Sequence, residues 1–348
     1  MDDRKKQVLN AIIKDYIANA EPVGSRAVAK KYDLGVSPAT IRNEMSDLEE
    51  DGYIEQPHTS AGRIPSGKGY RYYVDNLMEK ERLTPAQIKQ VKQVLSKEIN
   101  EMDEFMRSCC NMISRLTHYT ALAAVPEHSR GVLTNLQLVA VNDHQLMVIL
   151  LASTGIIRHK LLEVPNGITQ KELDRIERRM QERLTGLALR DISYELLQEL
   201  FDEFQLRDKM AAQALELLEQ ALTGEGSHKI YTGGVTNMLS QPEFHDIDKL
   251  KSMFAMVEEE DMVEKLLNSA AGEKITVTIG GEMPVDDAKD CSMVVANYFV
   301  NGEKAGSIGV LGPTRLNYSR TVSLMELIAG ELSRSLSDKD SSPEGEKK

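Results

Sequence analysis

The chain has 348 residues, 41% hydrophobic and 28% charged, a composition that fits a soluble globular protein of two or three domains. Its net charge of −12 excludes a surface that is basic throughout, and the charge is uneven, with −1 over residues 1–76 and −11 over the rest. Cys109, Cys110 and Cys291 form no CxxC pair, which excludes a zinc ribbon or a disulfide framework and points to a reducing cytoplasm.

The start, MDDRKK, lacks the apolar core of a secretory signal, and the longest apolar run, Leu146 to Ala152, is far too short to span a bilayer. Asp2 to Ala20 then reads as a first helix, with Val8, Ile12, Ile13, Tyr16 and Ile17 at helical spacing. Pro22 and Gly24 break it. Ser25 is the expected cap of a second helix, Arg26 to Tyr32, and Asp33-Leu34-Gly35-Val36 is a turn of helix-turn-helix length. Ser37-Pro38 starts a third helix that runs to about Glu50 and stops at Asp51-Gly52. Tyr53 to Gln56 is a short strand, Pro57 to Gly62 a loop, and Arg63-Ile64 the start of a return strand. Lys68 to Met78 is a helix leading out.

Thr84-Pro85 caps a long helical segment. Ile88, Leu95, Met102, Cys109 and Leu116 recur every seven residues, with Ile99, Met106 and Ile113 beside them. Without a regular flanking charge code, the seam reads as one long helix or two joined helices packed on their own domain, with a coiled coil as the alternative. From Leu133 to Val164 the period changes. Leu136 to Val141, Gln145 to Leu151 and Ile156 to Val164 form an antiparallel meander with tight turns. Thr169 to Leu184, Tyr194 to Phe204 and Leu206 to Leu222 are amphipathic helices, and Val235 to Leu239 and Ile247 to Leu267 are mostly helical. Lys274 to Gly280, Met293 to Val300 and Ala305 to Leu311 are strands. Tyr318 to Leu336 is a closing helix, and the polar tail after it has no apolar anchor and is expected to be disordered.

The third helix carries the chemistry. Ile41, Met45 and Leu48 form its apolar stripe. The opposite side presents Ala39, Asn43 and Ser46, with Arg42 at the edge. Arg can pair with guanine O6/N7 and Asn with adenine N6/N7, so Arg42, Asn43, Ala39 and Ser46 are the candidates for base readout. A phosphate is favoured at a helix start, which nominates Ser25, Ser37 and Thr40. Residues 56–73 hold three bases and no acid. Thr59, Ser60, Arg63, Lys68 and Arg71 are therefore the candidates for gripping the backbone from the hairpin loop and the exit helix.

The strings ATIRNEM (Ala39 to Met45), PHTSAGRIP (Pro57 to Pro65) and GYRYYVD (Gly69 to Asp75) resemble the N-terminal signature of the HrcA family of bacterial heat-inducible transcription repressors. YTGGVTNMLSQPEF (Tyr231 to Phe244) and GSIGVLGPTRLNY (Gly306 to Tyr318) extend the resemblance over nearly the whole chain, with Ser66 where threonine is expected. The resemblance implies an α+β multidomain protein: a winged helix-turn-helix (1–80), a discontinuous GAF-like α/β domain (81–129 and 225–337), an inserted α+β dimerisation domain (130–224) and a disordered tail (338–348). It also implies a homodimer that represses the groE and dnaK chaperone operons by binding double-stranded DNA at an inverted repeat called CIRCE, helped by the GroE chaperonin.

No catalytic constellation emerges: neither a P-loop nor GxSxG nor an HxxxH pair is present. His245-Asp246-Ile247-Asp248 reads as a helix start rather than a metal site, and Cys109-Cys110 as core rather than a redox sensor. No cofactor is specified, and the GAF-like part is expected to have a dry core. A metabolite-sensing regulator with a ligand-binding GAF-like domain is the alternative reading.

Overall fold

The computed structural model describes all residues except 60, 97–101, 127–131, 143–144, 153–156, 164–169, 188–191, 193–195, 197–227, 245, 269–272, 301 and 341–348. The expected helices at Tyr194 to Phe204 and Leu206 to Leu222 and the polar end of the tail lie largely or wholly outside them. The chain divides into two compact units, one of Met1–Val125 with Ile230–Lys348, the other of Pro126–Lys229.

The first unit begins with three helices, α1 (Asp3–Asn19), α2 (Ser25–Lys31) and α3 (Pro38–Glu50). Asp2 caps α1 by accepting from the Lys5 amide at 2.8 Å. The expected cap of α2 is corrected: Gly24 is the cap position and Ser25 the first helical residue, with no side-chain cap bond. Extended backbone at Gly24 breaks the chain there, so the hydroxyl falls one residue too late. A two-stranded antiparallel hairpin follows, β1 (Ile54–Glu55) and β2 (Ile64–Pro65), and a bridge from Arg63 to Val23 ties it to the α1–α2 connection. The chain leaves through α4 (Gly67–Tyr72), which continues as a π-helical turn, Tyr73–Leu77.

The seven-residue seam is used by two helices, α5 (Pro85–Leu95) and α6 (Met102–Thr117). Leu95, Met106, Cys109, Ile113 and Leu116 are buried in the core of their own unit. This is packing within a domain and not a coiled-coil seam; Ile99 lies outside the described residues. Strand β3 (Thr120–Pro126) then enters the main sheet.

The second unit contains the meander, β4 (Leu133–Asn142), β5 (Gln145–Ala152) and β6 (Ile157–Glu163), paired antiparallel in that order. Helix α7 (Gln170–Leu184) follows. Leu136, Leu138, Val148 and Leu150 on one side of the sheet and Leu173, Ile176, Met180 and Leu184 of α7 are buried. The Leu138 amide donates to Glu177 at 2.9 Å, and Gln181 donates to the Leu136 carbonyl at 2.6 Å. The helix thereby satisfies backbone groups of a strand that is otherwise an edge.

The chain returns to the first unit in β7 (His228–Gly233), a 3₁₀ stretch Val235–Ser240, helices α8 (Ile247–Glu258) and α9 (Glu260–Asn268), strands β8 (Ile275–Ile279), β9 (Cys291–Val300) and β10 (Glu303–Pro313), and α10 (Tyr318–Asp340). The sheet order is β7-β3-β10-β9-β8. Strand alternation splits the core. Val294, Ala296, Ile308 and Val310 join the cluster of α5, α6 and α10, whereas Met293, Val295 and Leu311 join that of α8 and α9. Helices on both faces explain why MVVANYFV is apolar nearly throughout. The first cluster runs on without a gap into Val8, Leu9, Ile12, Ile41, Leu48, Tyr70 and Tyr73. The N-terminal helices and the sheet thus share one core.

Candidate nucleic-acid interface

Helix α3 stands where three signals act together. Ser37 accepts from the Thr40 amide at 3.1 Å, Pro38 occupies the first helical position, and Gly52 with φ +75° ends the segment. Ile41, Met45 and Leu48 are buried, with 4% exposure at most. That orientation leaves Ala39, Arg42, Asn43 and Ser46 exposed together on the outer side. Thr40 is half-buried, and its hydroxyl lies 3.0 Å from that of Ser37.

The acids of the helix sit toward its C-terminal half, and three are neutralised from within the unit. Lys5 bridges to Asp47 at 2.9 Å, Arg4 to Glu44 at 3.7 Å and Arg63 to Glu49 at 2.7 Å. The hydrogen bond to Asp47 holds the Lys5 amine above its usual range. Sequence reading missed Arg4 and Lys5 in this role. The signal was the basic run at the chain start, whose partners lie some forty residues away. Among the described residues, Arg42 makes no ion pair.

The hairpin is braced rather than loose. Gln56 donates to the Thr59 and Ala61 carbonyls, each at 3.0 Å, and the Val23 and Arg63 backbones exchange bonds of 2.8 and 2.9 Å. A Cβ on Gly62 would sit 2.5 Å from the Val23 carbonyl carbon, so the close approach requires glycine. Thr59 is exposed at the tip, and Ser60 lies outside the described residues. Ser25 is half-buried.

The three bases of the acid-free stretch differ. Lys68 is exposed, with its amine 2.7 Å from the Asp51 carbonyl and 4.5 Å from the centre of the Tyr53 ring. Arg63 is drawn to Glu49 through Nε at 2.9 Å and Nη2. Arg71 reaches away from the hairpin. It donates to Glu282 through Nε at 2.8 Å and through Nη2, to the Val277 carbonyl at 2.6 Å and to Asp75 at 3.2 Å. Beside it, Tyr70 packs on Tyr318, ring centres 5.7 Å apart, and Arg315 donates to Glu243, to Gln241 at 2.9 Å and to the Ile17 carbonyl at 3.5 Å.

Elsewhere, Asp246 caps α8, accepting from the Asp248 amide at 2.9 Å, and His245 lies outside the described residues. All three cysteines are buried, and burial pushes the thiols of Cys109 and Cys291 up to about 12 and that of Cys110 higher still. Such thiols are poor redox sensors. Among the described residues, no helix is long and apolar enough to cross a membrane.

Residues 103–322 match the family model described as the HrcA protein C terminal domain. The chain is 45% identical over 337 residues to the heat-inducible transcription repressor HrcA of Pelotomaculum thermopropionicum, and 44% to that of Desulforamulus reducens, each alignment covering 97% of both chains. A crystal structure described only as a hypothetical protein at 2.2 Å resolution is similar over 97% of this chain and 99% of its own, with a TM-score of 0.60 and 26% identity.

Proposed function

Since the chain belongs to the HrcA family of heat-inducible transcription repressors, we propose that residues 1–80 are a winged helix-turn-helix reading one half of an inverted-repeat operator. The observation that carries this is the outer side of α3. Ala39, Arg42, Asn43 and Ser46 are exposed together while three of the acids behind them are paired off. Arg42 and Asn43 read base edges. Ser37, Thr40, Thr59 and Lys68 lie where phosphate would run, with Ser25 at the start of α2, and Ser60 stays a phosphate candidate on its sequence alone. In this reading Arg63 and Arg71 act mainly by positioning, the first by steadying the hairpin on α3 and the second by fixing α4 on the sheet.

We assign the sheet and its helices (81–129 and 225–337) to the GAF-like part and 130–224 to the dimerisation part. The meander supports the second assignment. Opposite its α7 side, Val139 and Val141 are 43% and 49% exposed, and Met147, Ile149 and Leu151 are half-buried around them. A two-fold operator requires two recognition helices held in register, and this apolar patch is where a second copy would bury surface. The controlled genes are the groE and dnaK operons, the operator is CIRCE, GroE supports the active form, and the protein acts in the cytoplasm. A gel-shift titration with an inverted-repeat duplex and a half-site duplex tests the reading. Tight binding only to the repeat is expected; equal binding to both, or none at low salt, would overturn it.

A further inference from the structure

Away from the α3 surface, the first unit holds an open cavity of about 550 Å³. Ser108, Asn111, Arg115 and His118 line one side of it, Asn237 the other, and Val94 contributes an apolar wall. The motif YTGGVTN builds it. Gly233 and Gly234 let the turn after β7 lie directly on α6. A Cβ on Gly233 would fall 2.7 Å from the Cys110 carbonyl carbon, and one on Gly234, at φ +66°, would fall 1.6 Å from the Ser114 hydroxyl. Asn237 is locked there, donating to Ser114 at 2.8 Å and to the Tyr119 carbonyl at 3.2 Å.

Arg115 supplies a positive charge to a polar lining, and among the described residues no carboxylate lines it in a chain of net charge −12. Among the described residues, Arg115 makes no ion pair, and its hydrogen bond runs from Nε to the Asn111 carbonyl at 3.3 Å. The end of a helix would ordinarily repel an anion. Here the carbonyls are occupied: Leu116 accepts from Arg320 at 3.2 Å, Ile113 from the Thr117 hydroxyl at 2.8 Å, and His118 from Gln241 at 3.5 Å. His118 closes α6 in the left-handed conformation, φ +62°, with its amide donating to the Ser114 carbonyl at 2.8 Å, which sets its ring at the cavity rim.

We propose that this cavity binds the carboxylate or phosphate group of a small molecule, with Arg115 as the charge partner and His118 and Asn111 as hydrogen-bonding groups, while Asn237, whose amide hydrogens are taken by Ser114 and Tyr119, holds the wall in place. The volume is that of a metabolite pocket. Its rim is tied to the N-terminal helices, because Gln241, which holds the His118 carbonyl, also accepts from the Arg315 side chain that donates to Ile17 of α1. The site is separate from operator readout and does not depend on it.

Isothermal titration of the full chain with inorganic phosphate and, separately, with succinate tests the proposal, using chloride at matched ionic strength as the control. Saturable binding of at least one anion is expected. Arg115→Gln and His118→Asn, the latter chosen because Asn tolerates the left-handed conformation, should each weaken it about tenfold or more. Both variants should melt as the parent does without anion. Arg42→Ala, which removes the candidate DNA contact, should leave anion binding unchanged. No saturable binding of either anion, binding indifferent to Arg115→Gln, or binding lost in Arg42→Ala would each overturn the proposal.

Discussion

The contact between Arg71 and Glu282 joins α4, the exit helix of the N-terminal region, to the sheet, and its strength is open to direct measurement. The carboxylate accepts two guanidinium bonds and also the Ile279 amide at 2.9 Å. Hydrogen bonds to charged groups contribute about 1.5–3 kcal/mol when shielded, and exposed ion pairs only about 0.2–1 kcal/mol. The side chains are 31% and 41% exposed, which discounts the shielded figure. A double-mutant cycle of Arg71→Ala and Glu282→Ala should therefore give a coupling of about 1–2 kcal/mol. For a unit of this size that corresponds to about 2–8 °C in Tm. The acidity adds a second readout. Burial raises the Glu282 carboxyl, but the Arg71 and Ile279 bonds and the Arg71 charge outweigh it and hold the group below its usual range. A carboxyl depressed in the folded state stabilises fully above its unfolded value of about 4.3, and that stabilisation is lost as pH falls through the folded value. The Tm deficit of Glu282→Ala should thus be constant at neutral pH and shrink in acid. Coupling near zero at pH 7, or a deficit that grows on acidification, would refute this account.

Arg42→Ala should cost about 1–3 kcal/mol of preference for operator over scrambled duplex in competition binding, with the melting curve unchanged. Gly62→Ala forces a Cβ to within 2.5 Å of the Val23 backbone. It should destabilise the protein by about 1–3 kcal/mol and lower DNA affinity, read by thermal melts and gel shift. Val139→Glu on the exposed side of the meander should shift the sedimenting species from dimer to monomer; an unchanged mass would remove that surface from consideration.

Local signals made much of the N-terminal region legible in the sequence. Ser37-Pro38, the Ile41/Met45/Leu48 stripe and Asp51-Gly52 act within a few residues of one another, and α3 runs where they say. The meander was legible for the same reason, through the turn signals that separate its three apolar runs in the sequence. Strands β3 and β7 were not read. Thr120–Pro126 is a largely apolar run that follows a helix almost directly, and His228–Gly233 (HKIYTG) is short and does not alternate. Each becomes a strand only because the sheet offers it a neighbour, so no local pattern marks it. The sides of α3 followed from periodicity. The partners of Arg63 and Arg71 did not, because Glu49 and Glu282 reach them through tertiary contact.

Those partners alter how affinity for DNA must be built. The acid-free stretch 56–73 contains three cations, and two of them are engaged in internal ion pairs. Each cation that neutralises a phosphate steepens the salt dependence of binding, so a half-site built this way should show a shallow slope and weak non-specific affinity. The rest must come from base-edge contacts, backbone amides and the joining of two half-sites, where the second contact benefits from a high effective concentration. It follows that Val139→Glu, on the proposed dimer surface, should weaken operator binding more than Arg42→Ala, which removes the proposed base contact. If Arg42→Ala instead proved the more damaging while the protein stayed dimeric, affinity would reside in single contacts and the dimer would serve only to choose the site.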